Sequence, residues 1–128
     1  MDDTKHKTWT FVIPQDISEL TPNKRHHWRK KAQYVKAARE LAEAIWMQAG
    51  RPRIDCRVAV RVLVERPRPL DYDNALAACK ATLDGLLAGN LLPDDSPAYI
   101  RAMTIEQQKS KHHQVTISVI ELRGQREE

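Results

Sequence analysis

Hydrophobic and polar residues alternate in two stretches of the first half of the chain. In the segment TWTFVI, Trp9, Phe11 and Ile13 fall on one face, and this period of two predicts a half-buried strand that ends at Pro14. In the segment IDCRVAVRVLVE, at 54–65, every second residue is apolar. This pattern predicts a second strand with one buried face.

Between these two segments, the apolar residues recur at helical spacing. We expect a helix from Lys24 to Gly50, with Asn23 as its N-cap and with Gly50 and Pro52 ending it. The helix is predicted to be amphipathic, because its apolar residues form one stripe: Trp28, Ala32, Val35, Ala38, Ala42, Ile45 and Ala49.

A second helix is expected after the proline-containing segment 66–70. That segment must be a loop, because proline has no N–H for a strand ladder. The helix is predicted from Asp73 to Leu87, with Gly89 and Asn90 ending it. Its apolar stripe consists of Leu76, Cys79, Leu83 and Leu86.

The last third of the chain has strand composition. Residues 99–107 and 114–122 read as strands, and the polar segment KSKHH between them indicates a β-hairpin. The order β-α-β-α-β-β predicts an α/β (α+β) fold with a mixed sheet and two main helices. With 128 residues, we expect a single domain over 1–128, with 123–128 as a disordered tail.

Composition limits the location and the partners of the protein. The formal net charge is +4 and the pI is about 9.2, which permits a polyanionic partner such as nucleic acid. Cys56 and Cys79 lie within apolar patterns and form no C-x-x-C pair, so we expect reduced core residues. We find no signal-peptide pattern and no apolar run of about 18 residues, and we therefore expect a cytoplasmic protein without a membrane partner.

Five aspartates fall between positions 70 and 100. Asp71 and Asp73 come where the second helix begins, and Asp94 and Asp95 follow its end. Taken separately, each pair is typical of a helix cap or a turn. Taken together, the two pairs would form a metal site with the phosphate oxygens of a substrate, because carboxylates are ligands that Mg²⁺ prefers.

The two pairs share a site only if the chain reverses direction. The predicted helix is roughly 20 Å long at 1.5 Å per residue, so Asp95 cannot reach Asp73 unless the turn at 91–98 folds back. Lys80 falls on the same helical stripe as Asp73. It would contact a scissile phosphate there or, alternatively, form an ordinary i, i+4 pair with Asp84.

The motif DYDNALAACKATLDGLLAGNLLPDDS, at 71–96, resembles the pattern of the RusA-type Holliday junction resolvases. That pattern is D-x-D-N, a helix with a lysine and then an aspartate, a glycine near the helix end and a closing D-D. The flanking strands also fit the family's small α/β fold. The resemblance implies a Mg²⁺-dependent endodeoxyribonuclease of DNA recombination and repair, with Mn²⁺ as a substitute metal. It further implies a homodimer that cuts four-way DNA junctions by paired incisions.

Carried over by position, the resemblance assigns roles to single residues. Asp71, Asp73 and Asp95 become the Mg²⁺-binding catalytic carboxylates, and Lys80 becomes a catalytic residue. Lys80 lies nearly one helical turn farther from Asn74 than the lysine of the family pattern, which sets this chain apart. We interpret three further residues as supporting the site: Asn74, Asp84 and Asp94.

Positive charge concentrates on the first predicted helix. Seven cations precede its first acid, Glu40: Lys24, Arg25, Arg29, Lys30, Lys31, Lys36 and Arg39. Cations near a helix N-terminus oppose the dipole by roughly 0.3–1 kcal/mol each at low salt. Bound DNA would relieve this conflict, and a solvated basic face is the alternative.

Several other residues complete the predicted surface. Arg66 and Arg68, just before the motif, extend the DNA-binding residues. Trp28 is interpreted as a core residue rather than as a base-stacking platform. The histidine pairs at 26–27 and 112–113 lack metal-ligand spacing and are interpreted as surface residues or phosphate contacts.

Two other functions fit the same residues. One is a nuclease with the same chemistry that prefers other branched DNA, such as flaps or forks. The other is a non-catalytic branched-DNA-binding protein, in which the acidic residues only cap the helix.

Overall fold

The computed structural model describes residues 7–22 and 27–122. Within them the chain forms, in order, β1 (Thr8–Ile13), a 3₁₀ turn (Ile17–Leu20), α1 (Trp28–Gln48), β2 (Val58–Arg66), α2 (Tyr72–Ala78), α3 (Lys80–Leu86), β3 (Ile100–Lys109) and β4 (Gln114–Glu121). The structure confirms a small α/β (α+β) domain with a mixed sheet, and it divides the second predicted helix in two. Asn23, Lys24, Arg25, His26 and the tail at 123–128 lie outside the described residues.

The sheet formed by the described residues has the strand order β1-β4-β2-β3. β4 runs antiparallel to both of its neighbours, whereas β2 and β3 are parallel. Val62 marks the register, because it pairs with Ile117 of β4 and with Ile105 of β3. β1, β2 and β3 therefore run in one direction, and β4 runs in the opposite direction between β1 and β2.

The predicted hairpin between the last two strands is wrong. β3 and β4 lie on opposite sides of β2, and the link between them passes the end of β2, where the N–H of Ser110 donates to the carbonyl of Arg66 at 3.1 Å. The inward valines of β2, over 58–64, are at most 1% exposed. A strand so deeply buried needs a partner on each edge for its backbone groups, and β3 and β4 take the two positions.

The helices cover one face of the sheet. α1 packs against α3, and buried side chains of both helices join the inward residues of β1, β2 and β4 in one core. The buried residues of α1 are Ala38, Ala42 and Trp46. The indole N–H of Trp46 donates to the carbonyl of Pro52 at 2.8 Å, so its polar atom is satisfied.

α1 differs from its prediction at the start. It begins at Trp28, and its N-cap is His27, whose Nδ1 accepts the N–H of Arg29 at 3.2 Å. Trp28 is 68% exposed, so its interpretation as a core residue is wrong. It precedes the buried Trp46 by 18 positions, which is five full helical turns, so the two indoles lie on the same side of α1. Trp28 is therefore exposed because the start of the helix extends beyond the core.

The second predicted helix is interrupted at Cys79. The N–H of Cys79 is shared between the carbonyls of Ala75 at 3.2 Å and Leu76 at 3.1 Å, and the helix resumes where Leu83 donates to Cys79 at 2.9 Å. Burial raises the pKa of the Cys79 thiol to about 12, so this thiol stays neutral. Cys79 is buried, as predicted for a core residue, whereas Cys56 is only half-buried. Leu76, predicted on the buried stripe, is 41% exposed, because it faces a cleft rather than the sheet.

None of the helices within the described ranges is both long and apolar enough to cross a membrane.

Candidate active site

The turn after α3 reverses the chain. Gly89 has a φ of +79°, a left-handed conformation that favours glycine. The side-chain amide of Asn90 donates to the carbonyl of Gly85 at 2.6 Å and caps the helix. Leu91 is fully buried, and its carbonyl accepts the N–H of Ile54 at 2.7 Å. The following residues are thereby directed back along the helix pair.

A cleft of about 510 Å³ lies beside α2, α3 and the start of β3. Four charged side chains line it: Asp73, Lys80, Asp84 and Asp95. Its other walls are largely apolar and include Leu76, Ile100 and Met103. Asp73 and Asp95 are 22 positions apart in the sequence, and the reversed chain brings both to this one cleft.

Asp71 takes the N-cap position of α2 without the usual capping contact. Its backbone is extended, with a φ of −60° and a ψ of 146°, and its side chain makes no capping hydrogen bond. In the first turn, Oδ1 of Asp73 accepts the N–H of Asn74 at 3.0 Å. The carboxylate of Asp71 is not part of the cleft lining, so the structure unites Asp73 with Asp95 and leaves Asp71 outside that lining.

Lys80 forms the local ion pair that the spacing allowed. Its Nζ lies 3.4 Å from Oδ1 of Asp84, and Nη2 of Arg39 approaches Oδ2 of the same carboxylate at 3.8 Å. The Lys80 side chain is 73% exposed, so the pair contributes only about 0.3–0.5 kcal/mol to stability. The Lys80 ammonium group remains accessible at the cleft, and the Asp84 carboxylate contacts both this group and the Arg39 guanidinium.

Asp94 shapes the turn that carries Asp95. The hydroxyl and the backbone N–H of Ser96 both donate to Asp94, the N–H at 2.7 Å, and these bonds lower the pKa of the Asp94 carboxyl. Asp94 therefore stays ionised and restricts the loop next to Asp95.

The donor set is compatible with Mg²⁺ but is not assembled as a ligand cluster. Within residues 7–22 and 27–122, no group of three or more His, Cys, Asp or Glu side chains is close enough to hold a metal ion. The cleft offers the carboxylates of Asp73 and Asp95, both exposed. Mg²⁺ is commonly held by one or two carboxylates together with substrate phosphates and water, so these two residues fit that chemistry.

Gln107 is a site residue that the sequence interpretation missed. Its Oε1 accepts the N–H of Leu70 at 2.8 Å, and its Nε2 donates to the carbonyl of Leu70 at 2.6 Å. Leu70 directly precedes Asp71, so this clamp fixes the entry to the D-x-D segment on β3. Met103, Ile105 and Gln107 lie on the same face of β3. A polar residue in this otherwise apolar series was the sequence feature that could have identified Gln107.

The basic face of α1 borders the acidic cleft. Lys31, Val35 and Arg39 line a second cavity of about 320 Å³, which Lys80 and Asp84 also line. The other described cations predicted for this helix are exposed: Arg29, Lys30 and Lys36. The cations of α1 therefore lie next to the charged residues of α3 where the two helices are in contact.

The two arginines before the motif differ in their surroundings. The guanidinium of Arg66 donates to the carbonyl of Arg68 and to the hydroxyl of Ser18, each at 2.7 Å. Arg66 is half-buried, whereas Arg68 is exposed. Of the two, Arg68 is the side chain that is free to reach a partner.

Among known proteins, the chain is similar to a relative whose function is not described. No protein-family model matches the chain. It is similar to an uncharacterized protein of Xylella fastidiosa, with 29% identity over 117 residues that cover 86% of this chain and 74% of the relative.

Proposed function

We propose that the protein is a Mg²⁺-dependent, structure-specific endodeoxyribonuclease that resolves four-way DNA junctions as a homodimer. The resemblance of residues 71–96 to the RusA-type pattern suggests this activity, and the charge distribution is compatible with it. The observation that carries the proposal is the meeting of Asp73, Asp95 and Lys80 at one cleft, although they come from α2, the turn after α3 and α3 itself.

The aspartates and Lys80 have different roles in the proposed phosphodiester hydrolysis. Asp73 and Asp95 would hold the metal, with Asp71 joining them when the phosphate of a substrate completes the ligand set. Mg²⁺ held by these residues would activate a water for attack and would stabilise charge on the leaving oxygen. The Lys80 ammonium group neutralises charge on the non-bridging phosphate oxygens.

The basic helix holds the substrate while the acidic cleft cuts it. Cations on α1 contact phosphates and so fix the register of the duplex without reading its sequence. Lys31 and Arg39 lie next to Lys80 and Asp84, so a bound backbone runs from the helix face to the cleft edge. Separate regions therefore attract the DNA and the metal.

A gel assay on a synthetic four-way junction tests the proposal. The protein should nick opposing strands in Mg²⁺ or Mn²⁺ and not in EDTA. Asp73→Asn and Asp95→Asn should slow cleavage by about 100-fold or more, since even an outer-shell partner of a metal contributes about 10–100-fold. Asp55→Asn is the matched control, because Asp55 is an exposed aspartate outside the cleft. Absence of nicking on junctions, flaps and forks in both metals would refute a nuclease.

A non-catalytic binder of branched DNA is the second candidate. The lack of a preassembled ligand cluster among the described side chains favours it, as does the pairing of Lys80 with Asp84. Such a protein would retard the junction in a gel and leave every strand intact in either metal. Asp73→Asn would then change neither result.

A further inference from the structure

Trp28 is the most exposed large hydrophobic side chain among the described residues, at 68%. We propose that it is a stacking platform for an unpaired nucleobase, a DNA-binding subsite separate from the acidic cleft. This inference rests on the proposed function, because it requires that the polyanionic partner be DNA. Every nucleobase has a π-face, so such a platform accepts any base and selects for single-stranded or splayed strands.

The neighbours of Trp28 suit a nucleotide. The His27 ring stacks beside the indole at 5.7 Å between centroids, and the guanidinium of Arg29 lies 5.1 Å from the indole centroid. An aromatic ring accompanied by a cation is the combination on which proteins stack single-stranded bases. At this exposure much of the indole remains accessible to a ligand, and Arg29 can turn to the phosphate.

Charge argues for DNA rather than for a second copy of the chain on this surface. From Trp28 to Arg39, α1 carries five cations and no acid. A twofold contact between two copies would place each patch against itself, and like charges would then oppose each other. A polyanion meets no such repulsion and also offsets the unfavourable charge at the start of the helix.

The position of Trp28 relates the subsite to the cleft. Trp28, Val35 and Arg39 fall on one stripe of α1, and Arg39 approaches Asp84 at 3.8 Å. Eleven residues separate Trp28 from Arg39, which corresponds to about 16 Å along the helix. At about 3.4 Å per stacked nucleotide, the base on Trp28 lies about five nucleotides from Arg39, which lines a cavity together with Lys80 and Asp84. The enzyme would therefore hold one strand unpaired close to the branch point.

Binding in EDTA separates stacking from cleavage. We compare the native protein with Trp28→Ala, Trp28→Phe and Met47→Ala by fluorescence anisotropy, on a forked duplex with single-stranded arms and on a blunt duplex. Met47 is the matched control, an apolar side chain of the same helix that is 43% exposed. Trp28→Ala should weaken fork binding about tenfold, within the range of one stacked base, and leave blunt-duplex binding unchanged. Trp28→Phe should retain most of the affinity, and Met47→Ala all of it.

The outcomes distinguish this inference from the proposed function. If Trp28→Ala binds the fork like the native protein while the native protein cleaves junctions, the stacking subsite is refuted and the nuclease stands. Equal weakening on fork and blunt duplex also refutes stacking. A shift of the native oligomer toward monomer in Trp28→Ala, measured by light scattering, would instead identify a self-association surface. If the native protein binds neither DNA, both proposals fail.

Discussion

The side-chain amide of Gln107 forms two hydrogen bonds with the backbone of Leu70, accepting its N–H at 2.8 Å and donating to its carbonyl at 2.6 Å. The contact joins β3 to a loop 37 positions earlier in the sequence. It satisfies both polar groups of the residue that precedes the D-x-D segment. Since α2 begins two residues later, the clamp determines where the first carboxylates start.

Loss of the clamp should destabilise the fold and disturb the site. Gln107→Leu puts a branched apolar side chain, one bond shorter, in place of the amide and removes both hydrogen bonds, which leaves the half-buried N–H and carbonyl of Leu70 without their partner. We expect a loss of about 1–3 kcal/mol in the free energy of unfolding, measured by urea denaturation. Gln108→Leu, one position on at an exposed site, should change it by no more than about 0.5 kcal/mol. Equal effects of the two substitutions would show that the clamp is not stabilising.

At Gly85, the backbone of α3 lies close against that of α1. A Cβ atom added there would lie 2.9 Å from Cα of Arg39 and closer still to the Arg39 carbonyl oxygen, so the backbones would have to separate. Helix propensity alone predicts that Gly85→Ala stabilises by about 1 kcal/mol. Packing predicts the opposite sign, a loss of about 1–3 kcal/mol. A lowered melting temperature supports the observed helix contact, and a raised one contradicts it.

Asp16 should make stability depend on pH in the acid range. Burial acts to raise the pKa of its carboxyl, but hydrogen bonds from the hydroxyl and N–H of Ser18, with His113 and Arg66 nearby, lower it below the ordinary value of 3.8. A lowered folded-state pKa means stability that is present above pH 3.8 and lost as the pH falls through the folded-state value. The midpoint of urea denaturation should therefore decline below pH 4.

Variants of the same cluster test the assignment to Asp16. Asp16→Asn should lower the midpoint at neutral pH and flatten its decline in acid, because the neutral amide has no proton to gain. Ser18→Ala removes the hydroxyl and leaves the backbone N–H, so it should have an intermediate effect. If the acid decline of Asp16→Asn is as steep as that of the native protein, the decline arises elsewhere.

The sequence revealed the elements of the fold more fully than their pairing. The period of two in β1 and β2 and the helical spacing of Ala38 and Ala42 are local features, and the structure retained them, although β2 begins at Val58, four residues later than predicted. The partner of a strand is a nonlocal choice. The link from β3 to β4 is short enough for a hairpin, yet the burial of β2 gave it a neighbour on each side.

The candidate site also has local features that the sequence reveals and nonlocal contacts that it does not. The carboxylates of Asp73 and Asp95 were visible as separate pairs in the sequence, whereas their meeting depends on the bond from Ile54 to Leu91, which joins distant segments. The exposure of Trp28 depends on how far α1 extends beyond the core. Periodicity placed this residue on the apolar stripe and could not show that the start of the helix leaves the core.

Lys80 should matter for cleavage and very little for stability. Its side chain is 73% exposed, and its ion pair with Asp84 is local, so Lys80→Ala should shift the free energy of unfolding by no more than about 0.5 kcal/mol. If its ammonium group neutralises charge on the phosphate during hydrolysis, the substitution should slow single-turnover cleavage by about 10²–10³-fold. Binding of the junction in EDTA should change far less, because the helix cations provide the ground-state contacts. Lys109→Ala, an exposed lysine at the end of β3, should cleave at the native rate. A matched loss of binding and cleavage in Lys80→Ala would mean that Lys80 only holds the DNA.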